Sequence, residues 1–318
     1  MFIVEWFLNP SVPASQKGLE VMYLFMGFVC LYCALRNLRD RKNSSPVGTA
    51  VFWGTLGVVL AAGRWLPNAV SGILVVVMTL PAILRRVKPG SNDVPSAEYT
   101  AEQAKRIGMK IFVPAFSIGT FAIFFAIFLP RFGALVGLGV GVAVSGLTLA
   151  LFNRENRPKI FLADSKRFLD TIGPLCMLPM LLASLGAVFT AAGVGDTIAS
   201  LVRPIIPDGN VTVGIIVYCL GMVLFTMIMG NAFAAITVMT VGVGAPFVLA
   251  HGANPAVVGM LALTTGYCGT LMTPMAANFN VVPVAILEMR GKYTVIRNQL
   301  AVALPVMVFQ IILMILFS

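Results

Sequence analysis

Ten apolar segments, each about the length needed to cross a lipid bilayer, divide this chain of 318 residues. A helix that crosses about 30 Å of hydrocarbon needs roughly 17–25 mostly apolar residues. The candidate segments are 19–35, 47–63, 66–84, 111–129, 132–152, 171–192, 211–229, 232–250, 255–272 and 299–317. Charged residues make up only 11% of the chain, too few to cover the surface of a soluble protein. The pattern predicts an all-α polytopic membrane protein with about 8–10 transmembrane segments, embedded in the lipid bilayer.

Basic residues mark one side of the predicted membrane protein. Eighteen of the 22 Lys and Arg residues lie in the four gaps 36–46, 85–110, 153–170 and 288–298. Cytoplasmic loops of membrane proteins collect Lys and Arg, so these gaps are predicted to be cytoplasmic and both termini to lie outside. The expected location is a bacterial inner membrane. The net charge of +10 is therefore interpreted as an orientation signal, and no nucleic-acid partner is expected.

The chain divides into three predicted parts. Residues 1–152 are expected to form scaffold-like transmembrane helices, residues 153–170 a cytoplasmic amphipathic linker, and residues 171–318 a transport-like repeat. Small residues recur every four positions in the first part, which brings helices close together: Gly133, Gly137, Gly141 and Ser145. This face could contact a helix of the same chain or a second subunit, and the sequence does not choose between them.

The stretch Gly209–Leu287 contains no Asp, Glu, Lys or Arg, yet it is rich in Gly, Thr, Asn and Pro. Such polar, helix-breaking sequence at membrane depth is tolerated where it is buried in protein or lines a cavity. Its first break is Gly230-Asn231. Residues 211–250 could form two spans joined by a turn, or a re-entrant hairpin with Asn231 at its tip. The absence of basic residues at this turn favours the hairpin.

The second break lies in a predicted broken helix, 255–287, where Pro274 cannot continue a helix. Unwound backbone at such breaks holds substrates and coupling ions in transporters, although a plain proline kink inside the bundle is the alternative. The predicted substrate- and ion-binding residues are Gly230, Asn231, Ala232, Gly269, Thr270, Thr273, Pro274 and Asn278. The carbonyls of Gly230, Thr270 and Thr273 with the Asn231 side chain could hold a coupling Na⁺; no other metal and no resident cofactor is expected.

Three strings resemble a bacterial membrane family of 5-oxoproline (pyroglutamate) transporter subunits. They are 186–196, 225–235 (FTMIMGNAFAA) and 266–280 (GYCGTLMTPMAANFN), within a region of resemblance over 171–317. The pattern is more distantly similar to the ion-transporter superfamily of citrate and dicarboxylate carriers. There Gly230-Asn231-Ala232 stands in place of Ser-Asn-Thr, which suits a smaller monoanion. The resemblance implies half of an inverted-repeat transporter that works with a second, smaller membrane subunit.

The sequence thus predicts a subunit of a secondary active transporter for a small carboxylate, with 5-oxoproline as first choice and sodium as coupling ion. A non-transporting assembly or regulatory subunit is one alternative. A proton-coupled carboxylate carrier is another, and Asp196 and His251 are its nearest titratable groups, both interpreted as residues at helix ends. No paired carboxylates and no Ser/His dyad occur in the apolar segments, so the chain is not expected to be an enzyme.

Overall fold

The computed structural model describes residues 3–91, 95–153 and 158–318, and within these ranges the chain is helical with no β-strand. Arg154 and Arg157 of the predicted linker, and residues 92–94 of the basic gap 85–110, lie outside the described residues. The helices are α1 Ile3–Leu8, α2 Ala14–Leu38, α3 Pro46–Ala62, α4 Asn68–Ile83, α5 Ala97–Ile107, α6 Phe112–Phe128, α7 Ala134–Phe152, α8 Pro158–Ile172, α9 Leu178–Ala191, α10 Val194–Val202, α11 Val211–Met229, α12 Ala232–Met239, α13 Ala245–Phe247, α14 Pro255–Leu271, α15 Ala277–Asn280, α16 Val282–Ile286 and α17 Thr294–Phe317.

Helix length and composition confirm an all-α polytopic membrane protein. Within the described residues, six helices or continuous helical runs are long and apolar enough to cross a membrane: Ala14–Leu38, Ala97–Phe128, Ala134–Phe152, Val211–Met229, Ala232–His251 and Thr294–Phe317. A seventh span is added if Ser184–Ala191 and Val194–Val202, which meet at 69°, are counted as one. Several remaining predicted segments form shorter apolar helices, among them α3, α4 and α14.

The first compact unit comprises residues 1–173. In it α2 packs against α3, and α6 packs against α7. Glycine permits the second contact, because a Cβ added to Gly137 would lie 2.4 Å from the carbonyl oxygen of Phe121, and one added to Gly141 would lie 2.7 Å from the Cα of Ile118. At these two positions the small-residue face of α7 therefore contacts a helix of the same chain.

The predicted linker 153–170 contributes most of α8, and this helix belongs to the first unit. Two of its charged residues, Lys166 and Asp170, are buried there and form an ion pair at 2.7 Å. A helix lying at a membrane surface would instead keep its charges in water. Contacts with α2 and with the loop that follows α4 bury this pair and are described below, whereas Lys159 of the same helix is exposed and Asp164 and Arg167 are partly exposed.

The second compact unit comprises residues 174–318 and is built around α11. This helix packs against α12, α14 and α17, and its residues Ile215, Tyr218 and Met222 are at most 1% exposed. Asparagine starts both α11 and α14: the Asn210 side chain accepts a hydrogen bond from the Val213 amide at 3.1 Å, and Asn254 accepts one from Ala256 at 3.0 Å.

The helices α11 and α14 run parallel. Val223 and Thr226, near the carboxyl end of α11, lie against Gly269, near the carboxyl end of α14. A Cβ added to Gly269 would approach the Val223 carbonyl oxygen to 2.6 Å, so the close approach requires glycine there. The two carboxyl ends, each followed by one of the predicted breaks, consequently lie side by side.

Candidate functional site

The first break is a tight turn between α11 and α12. Gly230 ends α11 in the left-handed conformation, with φ of 70°, and its amide donates to the Thr226 carbonyl at 2.7 Å. Asn231 starts α12: its side-chain oxygen accepts hydrogen bonds from the amides of Phe233 at 2.8 Å and Ala234 at 3.3 Å. Asn231 was predicted as a ligand residue, and here its Oδ1 serves as a helix cap.

The second break separates α14 from α15 and spans residues 272–276. Thr273 Oγ1 donates to the Met227 carbonyl at 2.9 Å, which ties the break to α11. Asn280 turns back on the break, and its Nδ2 donates to the carbonyls of Thr270 at 2.7 Å and Thr273 at 2.6 Å. Carbonyls freed by the end of α14 are thereby bound by a side chain from beyond the break.

The two breaks meet. A Cβ added to Gly230 would lie 2.4 Å from the carbonyl oxygen of Met275 and 3.0 Å from the amide nitrogen of Ala276. Only glycine allows this approach, because the position combines a positive φ with backbone in direct contact. We call the region where the Gly230–Asn231 turn contacts residues 272–276 the junction.

The predicted site residues divide into two groups. The turn residues Gly230 and Asn231 form the junction together with Thr273, and Ala232, Gly269 and Thr270 are buried next to it. Pro274 and Asn278, by contrast, are exposed on the surface of this chain. An ion or substrate bound at the junction would therefore contact residues of the first group.

Two residues at the junction escaped the sequence prediction. Thr226 is 0% exposed and Asn280 is 1% exposed, and Thr226 Oγ1 and Asn280 Oδ1 have no hydrogen-bond partner among the described residues. A buried oxygen without a partner costs about 1–3 kcal/mol, which favours a water molecule or cation beside it. The available signal was their position: Thr226 lies one helical turn before Gly230, and Asn280 ends the string that contains the second break.

The arrangement suits a monovalent cation. The junction offers hydroxyl, amide and carbonyl oxygens, and the carboxyl ends of α11 and α14 each carry about half a negative charge from the helix dipole. Within the described part of 174–318, the buried polar side chains are Thr226, Thr265, Thr270, Thr273 and Asn280, and none is a carboxylate, basic group or histidine. The described residues hold no group of three or more His, Cys, Asp or Glu that could bind a metal ion.

The groups considered for proton coupling lie elsewhere. Asp196 is exposed in the first turn of α10, which Gly193 caps in the left-handed conformation with φ of 70°. His251 is exposed at the end of the short 3₁₀ turn Leu249–His251. Neither side chain is buried beside the junction.

The arms of the predicted hairpin are long. Val211–Met229 has 19 residues and Ala232–His251 has 20, and each is long and apolar enough to cross a membrane. A hairpin with its tip at the midplane needs about ten residues per arm, at 1.5 Å each through half of a 30 Å core. The helix lengths therefore favour two spans joined by a turn, the first of the two alternatives, over the re-entrant hairpin.

A cavity of about 440 Å³ lies beside the junction, between α14, α15 and α17. Its lining residues are Thr264, Tyr267, Cys268, Thr270, Leu271, Phe279, Val306 and Gln310. Thr270 is common to the cavity wall and to the bonding around the break, since its carbonyl accepts from Asn280. The cavity is open on one side and mostly apolar, and its polar groups are those of Thr264, Tyr267, Thr270 and Gln310.

The comparisons with known proteins concern the chain as a whole. A search of curated proteins found no match, and a search of solved structures found none either. The model of a family described as "Protein of unknown function (DUF979)" matches residues 20–318, a range that includes the junction and the cavity. Because this match covers far more than half of the sequence, the chain belongs to the DUF979 family.

Proposed function

We propose that this chain is a subunit of a secondary active transporter for a small carboxylate, with 5-oxoproline as the first substrate to test and Na⁺ as the coupling ion. The observation that carries the proposal is the junction, where the two breaks meet and beside which Thr226 Oγ1 and Asn280 Oδ1 are buried with no hydrogen-bond partner among the described residues. Transporters place substrate and coupling ions at discontinuous helices, and the break between α14 and α15 is of this kind. The protein would lie in a bacterial inner membrane with both termini outside.

Sodium is the proposed coupling ion because of the charges around the junction. Unwound carbonyls and the carboxyl ends of helices coordinate Na⁺ in transporters, and α11 and α14 present two such ends together. Proton relays normally use Asp, Glu or His inside the membrane. The described residues of 174–318 bury none of these three.

A small monoanion fits the cavity better than a di- or tricarboxylate. No Lys, Arg or His is among the lining residues, so a substrate with several negative charges would lack compensation. Tyr267, Thr270 and Gln310 can still offer hydrogen bonds to a ring amide and one carboxylate. The choice of 5-oxoproline as the substrate rests on the resemblance to 5-oxoproline transporter subunits. The same resemblance is the reason for proposing a second, smaller membrane subunit.

The test is uptake of labelled 5-oxoproline by vesicles that contain this chain and the membrane protein encoded beside it, with and without an inward Na⁺ gradient. Thr226→Val removes one unpartnered oxygen at nearly constant volume. We expect it to weaken the apparent Na⁺ affinity about tenfold, equivalent to about 1.4 kcal/mol. The matched control is Thr265→Val, because the Thr265 hydroxyl is already bonded to the Leu261 carbonyl of its own helix at 2.6 Å.

Three results would contradict the proposal in different ways. Equal Na⁺ dependence in both variants would remove the junction as the ion site. Uptake that follows only a proton gradient would replace Na⁺ by H⁺. Uptake by the neighbouring protein alone would leave this chain as an assembly or regulatory subunit.

A further inference from the structure

A strongly basic cavity lies in the first unit, at the end of α2. It has a volume of about 340 Å³ and is lined by Arg36, Arg39, Asp40, Arg41, Lys42, Ser91 and Lys166. We call it the basic pocket. Five of its seven lining residues are cations, and only one is an acid.

The floor of the basic pocket is a buried polar network. Lys166 Nζ donates to Asp170 Oδ2 at 2.7 Å, and their side chains are 6% and 0% exposed. Asp170 also accepts hydrogen bonds from Asn37 Nδ2 at 2.9 Å and from the Gly90 amide at 3.3 Å. The Asp170 carboxylate thus compensates the charge of Lys166. The network holds this side of the basic pocket in place without adding net charge to it.

The loop after α4 forms one wall and is held by several bonds. Thr49 Oγ1 donates to the Lys88 carbonyl and accepts from the Lys88 amide, each at 2.9 Å, and Asn43 Nδ2 donates to the same carbonyl at 3.0 Å. A Cβ added to Gly90 would lie 2.4 Å from Asn37 Oδ1, so this loop lies directly on the network. This wall of the basic pocket is therefore preorganised for a ligand.

The acid in the basic pocket is already engaged. The Asp40 carboxylate accepts hydrogen bonds from the amide and hydroxyl of Ser91 and from the Lys42 amide. These bonds, that of the Ser91 hydroxyl foremost, lower the pKa of Asp40 to about 2, so the carboxylate remains ionised and directed at the wall. No ion pair within the described residues involves Arg36, Arg39, Arg41 or Lys42, which leaves a surplus of positive charge.

Apolar surface borders the basic pocket. Leu35 and Leu38, on the last turn of the candidate span α2, are 55% and 50% exposed. Ile83 and Leu84, at the end of α4 and the start of the wall loop, are 73% and 65% exposed. Cations at the end of a span lie at the depth of lipid head groups, and the leucines just before them lie at the depth of acyl chains.

We propose that the basic pocket binds the phosphate head group of an anionic phospholipid, whose acyl chains lie along Leu35 and Leu38. The combination of charge, wall and adjoining apolar surface selects a lipid over a soluble phosphate. Basic pockets beside transmembrane helices on the cytoplasmic side bind the head groups of acidic lipids.

The experiment measures lipid retained by the purified full-length protein, using native mass spectrometry after exchange into mixed micelles of phosphatidylglycerol and phosphatidylcholine. The variant is Arg36→Gln with Arg39→Gln, which leaves Arg41 and Lys42 to maintain orientation. We expect it to lose about tenfold or more of the phosphatidylglycerol bound by the natural chain. The matched control, Lys105→Gln with Arg106→Gln, removes the same charge from the exposed end of α5 and should retain that lipid.

The outcomes separate site from general attraction. Equal losses in the two variants, or equal retention of both lipids by the natural chain, would overturn the proposal. Displacement of bound phosphatidylglycerol by millimolar inorganic phosphate would also overturn it, because the pocket would then be a soluble-phosphate site. Restoration of binding by Arg36→Lys with Arg39→Lys would support a charge-selective head-group site and would exclude misfolding as the cause of the loss.

Discussion

Single polar side chains at the junction have two roles. Some of their atoms hydrogen-bond to the backbone, and others are left without a partner and could bind a ligand. Asn280 does both: its Nδ2 donates to two carbonyls of the break, while its Oδ1 has no partner among the described residues. Asn231, in contrast, uses its oxygen to cap α12. The same side chain can thus hold the chain or face a ligand, depending on which backbone groups lie within reach.

Asn280→Ala should destabilise the protein by about 1–3 kcal/mol, because the buried carbonyls of Thr270 and Thr273 lose a donor. The measurement is thermal or denaturant unfolding in detergent. Asn278→Ala is the control two residues away, and this exposed side chain should change stability by less than about 0.5 kcal/mol. Similar losses in the two variants would argue against the bonding described for Asn280.

Gly230→Ala should cost more than a positive φ alone explains. Gly209 provides the comparison, since its φ of 76° is similar and a Cβ there would meet no atom within 4 Å. Gly209→Ala should therefore cost about 1–2 kcal/mol, the penalty of the left-handed backbone. Gly230→Ala should lose about 1–3 kcal/mol more through collision with Met275, as measured by the same unfolding assay. Equal destabilisation by the two substitutions would mean that Gly230 is not in close contact with the Met275 backbone.

At the scale of elements, the sequence carries much of the helix layout and little of the packing. The breaks after α11 and α14 could be predicted, because Gly230 and Pro274 interrupt apolar runs locally. Their contact could not, since it depends on the parallel arrangement of two helices that are distant in sequence. The role of Asn280 was equally hidden, because its amide reaches Thr270 only after the chain has turned back through 272–276.

The helix α8 illustrates the same limit. Its alternation of charged and apolar residues predicts an amphipathic helix, and it does not indicate that Asn37 and the Gly90 amide supply partners that let Asp170 be buried. Those partners come from α2 and from the loop after α4, so no pattern within α8 itself reveals them. Burial of an ion pair is tolerated where such additional hydrogen bonds are present.

The contact between α6 and α7 should depend on one face of α7. Gly137→Ala should destabilise the first unit by about 1–3 kcal/mol, because the added methyl would lie 2.4 Å from the Phe121 carbonyl oxygen. Gly146→Ala, on the same helix, meets no atom within 4 Å and should be neutral or stabilising by up to about 1 kcal/mol. Unfolding of the two variants in one detergent decides the matter, and a larger loss at Gly146 would contradict the packing.

At the scale of the whole molecule, buried charge is distributed unequally. Within the described residues the first unit buries Glu20, Lys166 and Asp170, whereas the second unit buries no carboxylate, basic group or histidine. A charged group at the centre of a span costs about 2.5–3.5 kcal/mol on insertion scales. The second unit avoids that cost and uses neutral oxygens where an ion is proposed to bind.

Sodium should stabilise the folded protein if it binds the junction. At ten times its dissociation constant, a ligand that binds only the folded state adds roughly 1.4 kcal/mol. We therefore expect a higher Tm in NaCl than in KCl at equal ionic strength, and no such difference in Thr226→Val. An unchanged Na⁺ effect in that variant would move the ion away from Thr226, and Thr265→Val again serves as the control with its hydroxyl already bonded.

Two contacts at the junction have a mechanical consequence. They are the hydrogen bond from Thr273 to Met227 and the close approach of Gly230 to the Met275 backbone. Together they join the end of α11 to the break after α14, so the two breaks behave as one rigid part. A gate that moved only one of them would have to separate a 2.9 Å hydrogen bond. The 69° bend between α9 and α10 around Gly193 involves neither of these two contacts.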